Sequence, residues 1–126
     1  ARDEAARYAA VLQAVAFVER LCLEHVAGLG ADVGTTVSLT GGGASSPYWC
    51  QLQADVLGRE VVIPAIPDGA LGMAVVAAST AFGSLTAAAE AMVSIRERFV
   101  PRDGAARRWE RRYQDWRAEL ADRGWC

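Results

Sequence analysis

The sequence predicts an α/β fold in which helices pack on a short parallel sheet. Three observations predict it: two short β-branched segments at residues 37–40 and 59–63, a helical pattern between them, and long helical patterns on either side. Because a helix joins the two strands, we expect them to lie parallel in a right-handed unit. Two parallel strands are too few for a stable sheet, so further strands are expected from elsewhere. Residues 1–126 are therefore interpreted as one incomplete domain, and the absence of an initiator Met agrees with a fragment.

The first helix is predicted over residues 3–27. Gly28 and Gly30 end the pattern, as glycines commonly do at the end of a helix. The helix is indicated by apolar side chains that recur at helical spacing, namely Tyr8, Leu12, Val15, Val18 and Cys22.

The second helix is predicted over residues 47–57, between the two strands. Ser46 suits the N-cap position, Pro47 suits the first helical position, and Gly58 ends the helix. The chain then enters the β-branched segment at 59–63.

Three more helices are predicted in the second half of the chain, over residues 68–82, 85–97 and 104–121, with an extended break at 99–101. The first of these is rich in Gly and Ala, which predicts close packing on two sides. The last carries an aromatic stripe that we interpret as a face docking on the domain, formed by Trp109, Tyr113, Trp116 and Leu120.

Two absences exclude whole classes of chemistry, because the sequence contains no Lys and no Asn and all 13 basic residues are Arg. A Walker-type phosphate loop and Schiff-base catalysis both need a Lys.

The three cysteines, Cys22, Cys50 and Cys126, are far apart and form no C-x-x-C motif. They predict free thiols in a reducing compartment rather than a disulfide framework or a zinc site.

Charge is uneven along the chain. Residues 1–95 carry 4 Arg and 9 acidic residues, whereas residues 96–126 carry 9 Arg and 6 acidic residues. Since the acids and arginines of the tail are interleaved, a solvated, salt-bridged helix is expected, and not a nucleic-acid surface.

The longest apolar stretch, 70–83, is interrupted and shorter than the roughly 20 residues of a membrane span. No membrane association is predicted, and a cytoplasmic location is expected.

The candidate ligand site is the glycine cluster Gly41, Gly42 and Gly43, between the first strand and the capped second helix. Glycines permit close approach to the backbone, and a helix N-terminus offers free N–H groups and a positive dipole end. A nucleotide is the ligand that this arrangement often binds. The alternative interpretation is a tight strand-to-helix turn with no ligand.

Residues 40–51, which read TGGGASSPYWCQ, continue as ADVLGR at 54–59 and VVIP at 61–64. These segments resemble the C-terminal signature of the FGGY carbohydrate kinases, and the similarity extends to ALGMA at 70–74, FVP at 99–101, Tyr113 and Trp116. The resemblance implies part of an actin-like (ribonuclease H-like) ATPase domain, with xylulokinase-like enzymes as the preferred subfamily. It also implies that the whole enzyme uses ATP and Mg²⁺ to phosphorylate a hydroxyl of a sugar or polyol.

The same resemblance implies which residues touch the nucleotide: Gly41, Gly42, Gly43, Ala44 and Ser46. Gly42 is expected to contact it directly and to need a glycine backbone conformation. No catalytic residue is assigned to this chain, since the catalytic Asp and the sugar contacts belong to the missing N-terminal half of the family. The chain alone is therefore expected to be inactive.

Three other candidates are interpreted as structural. Asp55 is expected to make hydrogen bonds on its helix, and His25 is expected on a helix surface. Residues 32–36 spell D-x-G-T-T, similar to the family's own N-terminal phosphate motif, but they follow a helix end and not a buried strand.

A different class of function remains open. The chain could be a non-catalytic assembly module that uses its open sheet edge and the face formed by Trp109, Tyr113 and Trp116. Because an unpaired strand edge recruits another strand, a homo-oligomer is expected with either interpretation.

Overall fold

The computed structural model describes residues 2–125, so Cys126, one of the three cysteines expected to be free, lies outside the described residues. The elements in chain order are α1 (Arg2–Gly28), β1 (Thr36–Ser38), a 3-10 turn (Gly42–Ser45), α2 (Pro47–Leu57), β2 (Glu60–Pro64), α3 (Gly69–Phe82), α4 (Leu85–Met92), β3 (Ile95–Phe99) and α5 (Ala105–Asp122). The α/β fold and the helices α1, α2 and α3 agree with the prediction to within a residue or two.

The strands form one mixed sheet in the order β1-β2-β3. β1 and β2 are parallel, with Val37 opposite Val61, as the helical connection predicts. β3 is antiparallel to β2, with Arg98 opposite Val62. The sheet therefore differs from the expected parallel one, because the chain supplies a third strand of its own.

The prediction of a helix over residues 85–97 is wrong in its second half. α4 ends at Met92, and the chain then pairs with β2 as β3. Arg98 Nη1 lies 3.2 Å from a Glu60 carboxylate oxygen, and the N–H of Ala65 donates to the carbonyl of Ser94 at 2.8 Å. This backbone pairing with a distant segment outweighs the helical preference of the local Arg and Glu residues.

Helix α2 occupies the middle layer of the fold, between the sheet and a layer formed by α1 and α5. Its predicted caps are present: the Trp49 N–H donates to Ser46 Oγ at 3.3 Å, and Gly58 is left-handed with φ 62°. The core on the helical side consists of Ala16, Phe17, Leu52, Val56, Ala105, Trp109 and Tyr113. The core on the sheet side consists of Ala44, Cys50, Ala54, Val61 and Ile63.

The aromatic stripe of α5 docks on the domain, as predicted. Trp109 is 5% exposed and Tyr113 is fully buried, and the Tyr113 ring lies 5.7 Å from the Phe17 ring. Tyr113 also donates its hydroxyl hydrogen to Glu24 at 2.7 Å. Burial raises the pKa of Tyr113, and the Glu24 carboxylate adds to that rise. Because Trp109 and Tyr113 are internal, the assembly face proposed for the alternative function does not exist in this fold.

Two apolar surfaces are open in this chain. The predicted stripe of α1 lies largely outside the core, with Tyr8 66% and Val18 47% exposed. Helix α3 packs mainly on α4 and leaves Met73 69% exposed, so its expected packing on two sides is wrong for residues 2–125. Within the described range, no single helix is long and apolar enough to cross a membrane; α3 and α4 reach that length and hydropathy only together, with a bend of 119° between them.

Candidate functional site

The glycine loop lies where the carboxyl ends of β1 and β2 meet. The strands are parallel, so the loop after β1 and the loop after β2 leave the same edge of the sheet. The N–H of Gly41 donates to the carbonyl of Pro67 at 2.8 Å and joins the two loops. Ligands of open α/β sheets bind at this kind of edge. Sequence reasoning missed Pro67, although its position just after the second predicted strand was a usable signal.

Gly41 is the residue of this loop that must be a glycine for conformational reasons. Its backbone angles, φ 80° and ψ −166°, lie in a region that is essentially closed to other residues. The prediction of a glycine-specific conformation at Gly42 is wrong, because the φ of Gly42 is not positive. The sharp change of direction needed to leave β1 falls one residue earlier.

Two backbone N–H groups of the loop are free. The turn is closed by Ala44 N–H to the Gly41 carbonyl and by Ser46 N–H to the Gly43 carbonyl, both at 3.1 Å. The N–H groups of Gly42 and Gly43 make no hydrogen bond within residues 2–125. A Cβ atom at Gly42 would meet no atom within 4 Å, so a ligand has space to approach this backbone.

The other predicted site residues hold the loop in shape. A Cβ atom on Gly43 would lie 3.0 Å from the indole of Trp49, so a side chain there would displace that ring. Ala44 is 3% exposed and packs in the sheet-side core. Ser46 uses its hydroxyl oxygen as the α2 N-cap. The structure thus brings all five predicted residues together, and it offers the backbone of Gly42 and Gly43 to a ligand.

The loop is suited to binding and not to proton transfer. Residues 39–46 contain no titratable side chain. The positive end of the α2 dipole follows directly, which favours negative charge or an oxygen acceptor at this place. The arrangement can therefore hold a polar or anionic group by backbone donors.

Asp55 and Gln51, the polar residues that continue the sequence signature on α2, are structural. Asp55 is 1% exposed and accepts from the backbone N–H of Arg102 at 2.8 Å and from its Nε at 2.9 Å. Gln51 Nε2 donates to Asp55 at 3.1 Å and to the carbonyl of Val100 at 2.9 Å. Burial alone would raise the pKa of Asp55, but the hydrogen bonds from Arg102 and Gln51 outweigh it and lower the pKa. This cluster anchors the segment before α5, as expected for structural hydrogen bonds.

The geometry does not support Cys22 and His25 as metal ligands, nor the D-x-G-T-T segment as a phosphate loop. Among the residues described, no three His, Cys, Asp or Glu side chains are grouped as metal ligands. Cys22 and His25 are exposed on α1. Asp32 accepts from the N–H of Gly34 at 2.9 Å, so the D-x-G-T-T segment forms a local turn before β1.

The comparisons with known proteins agree with the observed fold. The sequence model of the FGGY family of carbohydrate kinases, C-terminal domain, matches residues 1–81. The structure of xylulose kinase from Rhodospirillum rubrum is similar over 90% of this chain, with a TM-score of 0.72 and 32% identity. Ligand-bound xylulose kinase from Lactobacillus acidophilus shares the fold over 69% of the chain, with a TM-score of 0.56 and 20% identity. The match spans 23% and 19% of those two chains. This chain belongs to the FGGY family of carbohydrate kinases, as a portion of the C-terminal domain.

Proposed function

We propose that this chain forms the nucleotide-binding part of an ATP-dependent sugar kinase similar to xylulose kinase. In the whole enzyme, the γ-phosphate of ATP passes to a hydroxyl of a sugar or polyol. The observation that carries the proposal is the loop at residues 41–46, with two free N–H groups beside the positive end of α2 in a chain of this family.

Each of the five predicted site residues has a role in this proposal. Gly41 turns the chain, and the N–H groups of Gly42 and Gly43 donate to oxygen or nitrogen acceptors of the nucleotide. Ala44 and Ser46 keep the turn and the helix start in place. The residues fit a nucleotide, because the loop offers donors and open space and residues 39–46 contain no carboxylate.

The described residues do not fit Mg²⁺ in the same way. Between residues 2 and 125, no three His, Cys, Asp or Glu side chains are grouped so that they could hold a metal ion. In this proposal the ion is bound by the phosphates of ATP and by parts of the enzyme beyond this chain, which also supply the sugar site and the base.

The 126-residue chain is then a half-site without catalytic activity. A coupled assay with ATP, Mg²⁺ and a panel of pentoses, hexoses and polyols should show no turnover above a kinase-free control.

The decisive experiment uses the full-length kinase and Gly42→Val. We expect ATP affinity to fall about tenfold or more, because the side chain fills the space beside the free N–H groups, while sugar affinity changes little. Ser46→Ala should do less, since the loss of one cap costs about 1 kcal/mol.

Gly28→Val is the matched control. Gly28 also has open space at its Cβ position and no positive φ, but it lies at the end of α1. ATP and sugar are titrated separately by calorimetry on folded variants. An unchanged ATP affinity in Gly42→Val would reduce the loop to a structural turn.

A second candidate function is a non-catalytic assembly module. Two features favour it: the edge of β1, which has no partner strand within residues 2–125, and the exposed α1 stripe. The aromatic face of α5 is not available to it, because that face is buried. The upstream coding sequence separates the two functions: a D-x-G-T-T segment after an apolar strand supports the kinase, and a start codon close to residue 1 supports the module.

A further inference from the structure

A groove separate from the glycine loop lies between the first turn of α2, the start of α5 and α1. Its volume is about 480 Å³, and it is lined by Gln13, Pro47, Tyr48, Gln51, Leu52, Arg102, Arg108, Trp109 and Arg112. Three of these residues are arginines, and none is acidic. The groove therefore has a strongly positive lining in a chain whose net charge is −2.

Two of the arginines carry charges that no described residue neutralises by an ion pair. Arg102 is bound to Asp55, but Arg108 and Arg112 form no ion pair within residues 2–125. Arg112 donates only to the neutral side-chain oxygen of Gln13, at 3.3 Å. The expected salt-bridged surface is thus incomplete at this end of α5, and two like charges remain one helical turn apart.

Both guanidinium groups are held in place by the same aromatic ring. The Cζ atoms of Arg108 and Arg112 lie 5.1 and 5.4 Å from the Trp109 ring centroid. These cation–π contacts orient the two groups before any ligand arrives, which lowers the entropic cost of binding.

The first turn of α2 adds to the positive potential. Pro47 and Tyr48 line the groove and belong to the N-terminal turn of that helix. A helix N-terminus favours anions, so the dipole and the two guanidinium groups act on the same space. Arginine pairs bind phosphate oxygens with matched geometry.

We propose that this groove is a second, anion-binding site that takes a phosphate monoester, with the phosphate on Arg108 and Arg112 and the rest of a small molecule against Tyr48 and Leu52. The volume exceeds that of a phosphate group alone. The site is distinct from the loop at 41–46 and does not depend on the nucleotide role of that loop.

The test is calorimetry on the protein at low salt with three probes: inorganic phosphate, ribose 5-phosphate and AMP. We expect saturable binding that is weakened about tenfold or more by Arg108→Gln with Arg112→Gln. Arg107→Gln with Arg111→Gln is the matched control, because it changes the charge of the same helix equally; it should cost less than about threefold. Stronger binding of ribose 5-phosphate than of phosphate identifies a phosphorylated sugar as the preferred occupant, and the reverse identifies free phosphate.

AMP separates this site from the glycine loop: binding that depends on Gly42 and not on the arginines belongs to the loop. Arg108→Lys with Arg112→Lys keeps the charge and guards against a folding defect, and it should retain part of the affinity. The proposal is overturned if no probe binds saturably up to about 10 mM, or if the two Gln pairs lose affinity equally, which would indicate diffuse charge only.

Discussion

Arg102 binds the buried carboxylate of Asp55 with its side chain and its backbone N–H at once. Asp55 is 1% exposed, whereas the Arg102 side chain is 61% exposed. The pair joins the last turn of α2 to the segment that leads into α5. It thereby sets the position from which the aromatic residues of α5 reach α1 and α2.

Asp55→Ala should lower the free energy of unfolding by about 2–4 kcal/mol, because the Arg102 N–H loses its acceptor and a buried cavity forms. Asp103→Ala, on the exposed neighbour, is the control and should change it by less than about 0.5 kcal/mol. Urea denaturation followed by tryptophan fluorescence measures both. Equal losses of unfolding free energy in Asp55→Ala and Asp103→Ala would show that the Asp55–Arg102 pair does not hold α5.

The same carboxylate should make stability sensitive to acid. Its pKa is lower in the folded chain than in the unfolded chain, so its contribution is complete above the ordinary Asp value near 3.8 and disappears as the pH falls through the lowered value. Urea midpoints measured from pH 7 to pH 3 should fall more steeply for the wild type than for Asp55→Asn. Parallel pH profiles would contradict this assignment.

Substitution of the two neighbouring glycines should separate backbone strain from ligand access. Gly41→Ala should destabilise the fold by about 1–3 kcal/mol, since φ 80° with ψ −166° excludes a Cβ. Gly42→Ala should be within about 0.5 kcal/mol of wild type, because its surroundings are open. Thermal unfolding measures the stability of the two variants. A larger loss of stability in Gly42→Ala than in Gly41→Ala would refute the prediction.

The cysteines should differ in reactivity. Cys22 is exposed, whereas Cys50 is fully buried, and burial raises the pKa of its thiol. In a Cys126→Ser variant, a thiol reagent should modify one cysteine in the native state and the second only after unfolding. Rapid modification of both thiols in the native protein would show that α2 does not shield Cys50.

The isolated chain should self-associate through β1, whose outer edge has no partner strand in the described part of the chain. The Leu39 N–H donates to Val62, so the Ser38 N–H faces the free edge by strand alternation. Ser38→Pro should reduce association, and Ser38→Ala should not. Sedimentation over micromolar concentrations measures this, and a wild-type monomer throughout would be evidence against edge pairing.

Local signals in the sequence determined much of the fold. Ser46, Pro47 and Gly58 specify the start and end of α2 by caps that depend only on neighbouring residues. The connection through α2 determined that β1 and β2 are parallel, and the glycine cluster located the candidate site. The similarity to the carbohydrate kinases led to the proposal of ATP as the ligand of that cluster.

The tertiary structure decided the features that depend on distant partners. The segment Ile95–Phe99 became a strand because β2 offered its backbone, and Asp55 found Arg102 only when α2 met the segment before α5. The positive φ lies at Gly41 and not at Gly42, and the Gly41 N–H donates to the carbonyl of Pro67 in another loop. Hydrogen bonds and ion pairs between residues far apart in sequence have no periodicity, so only the folded chain shows which of them form.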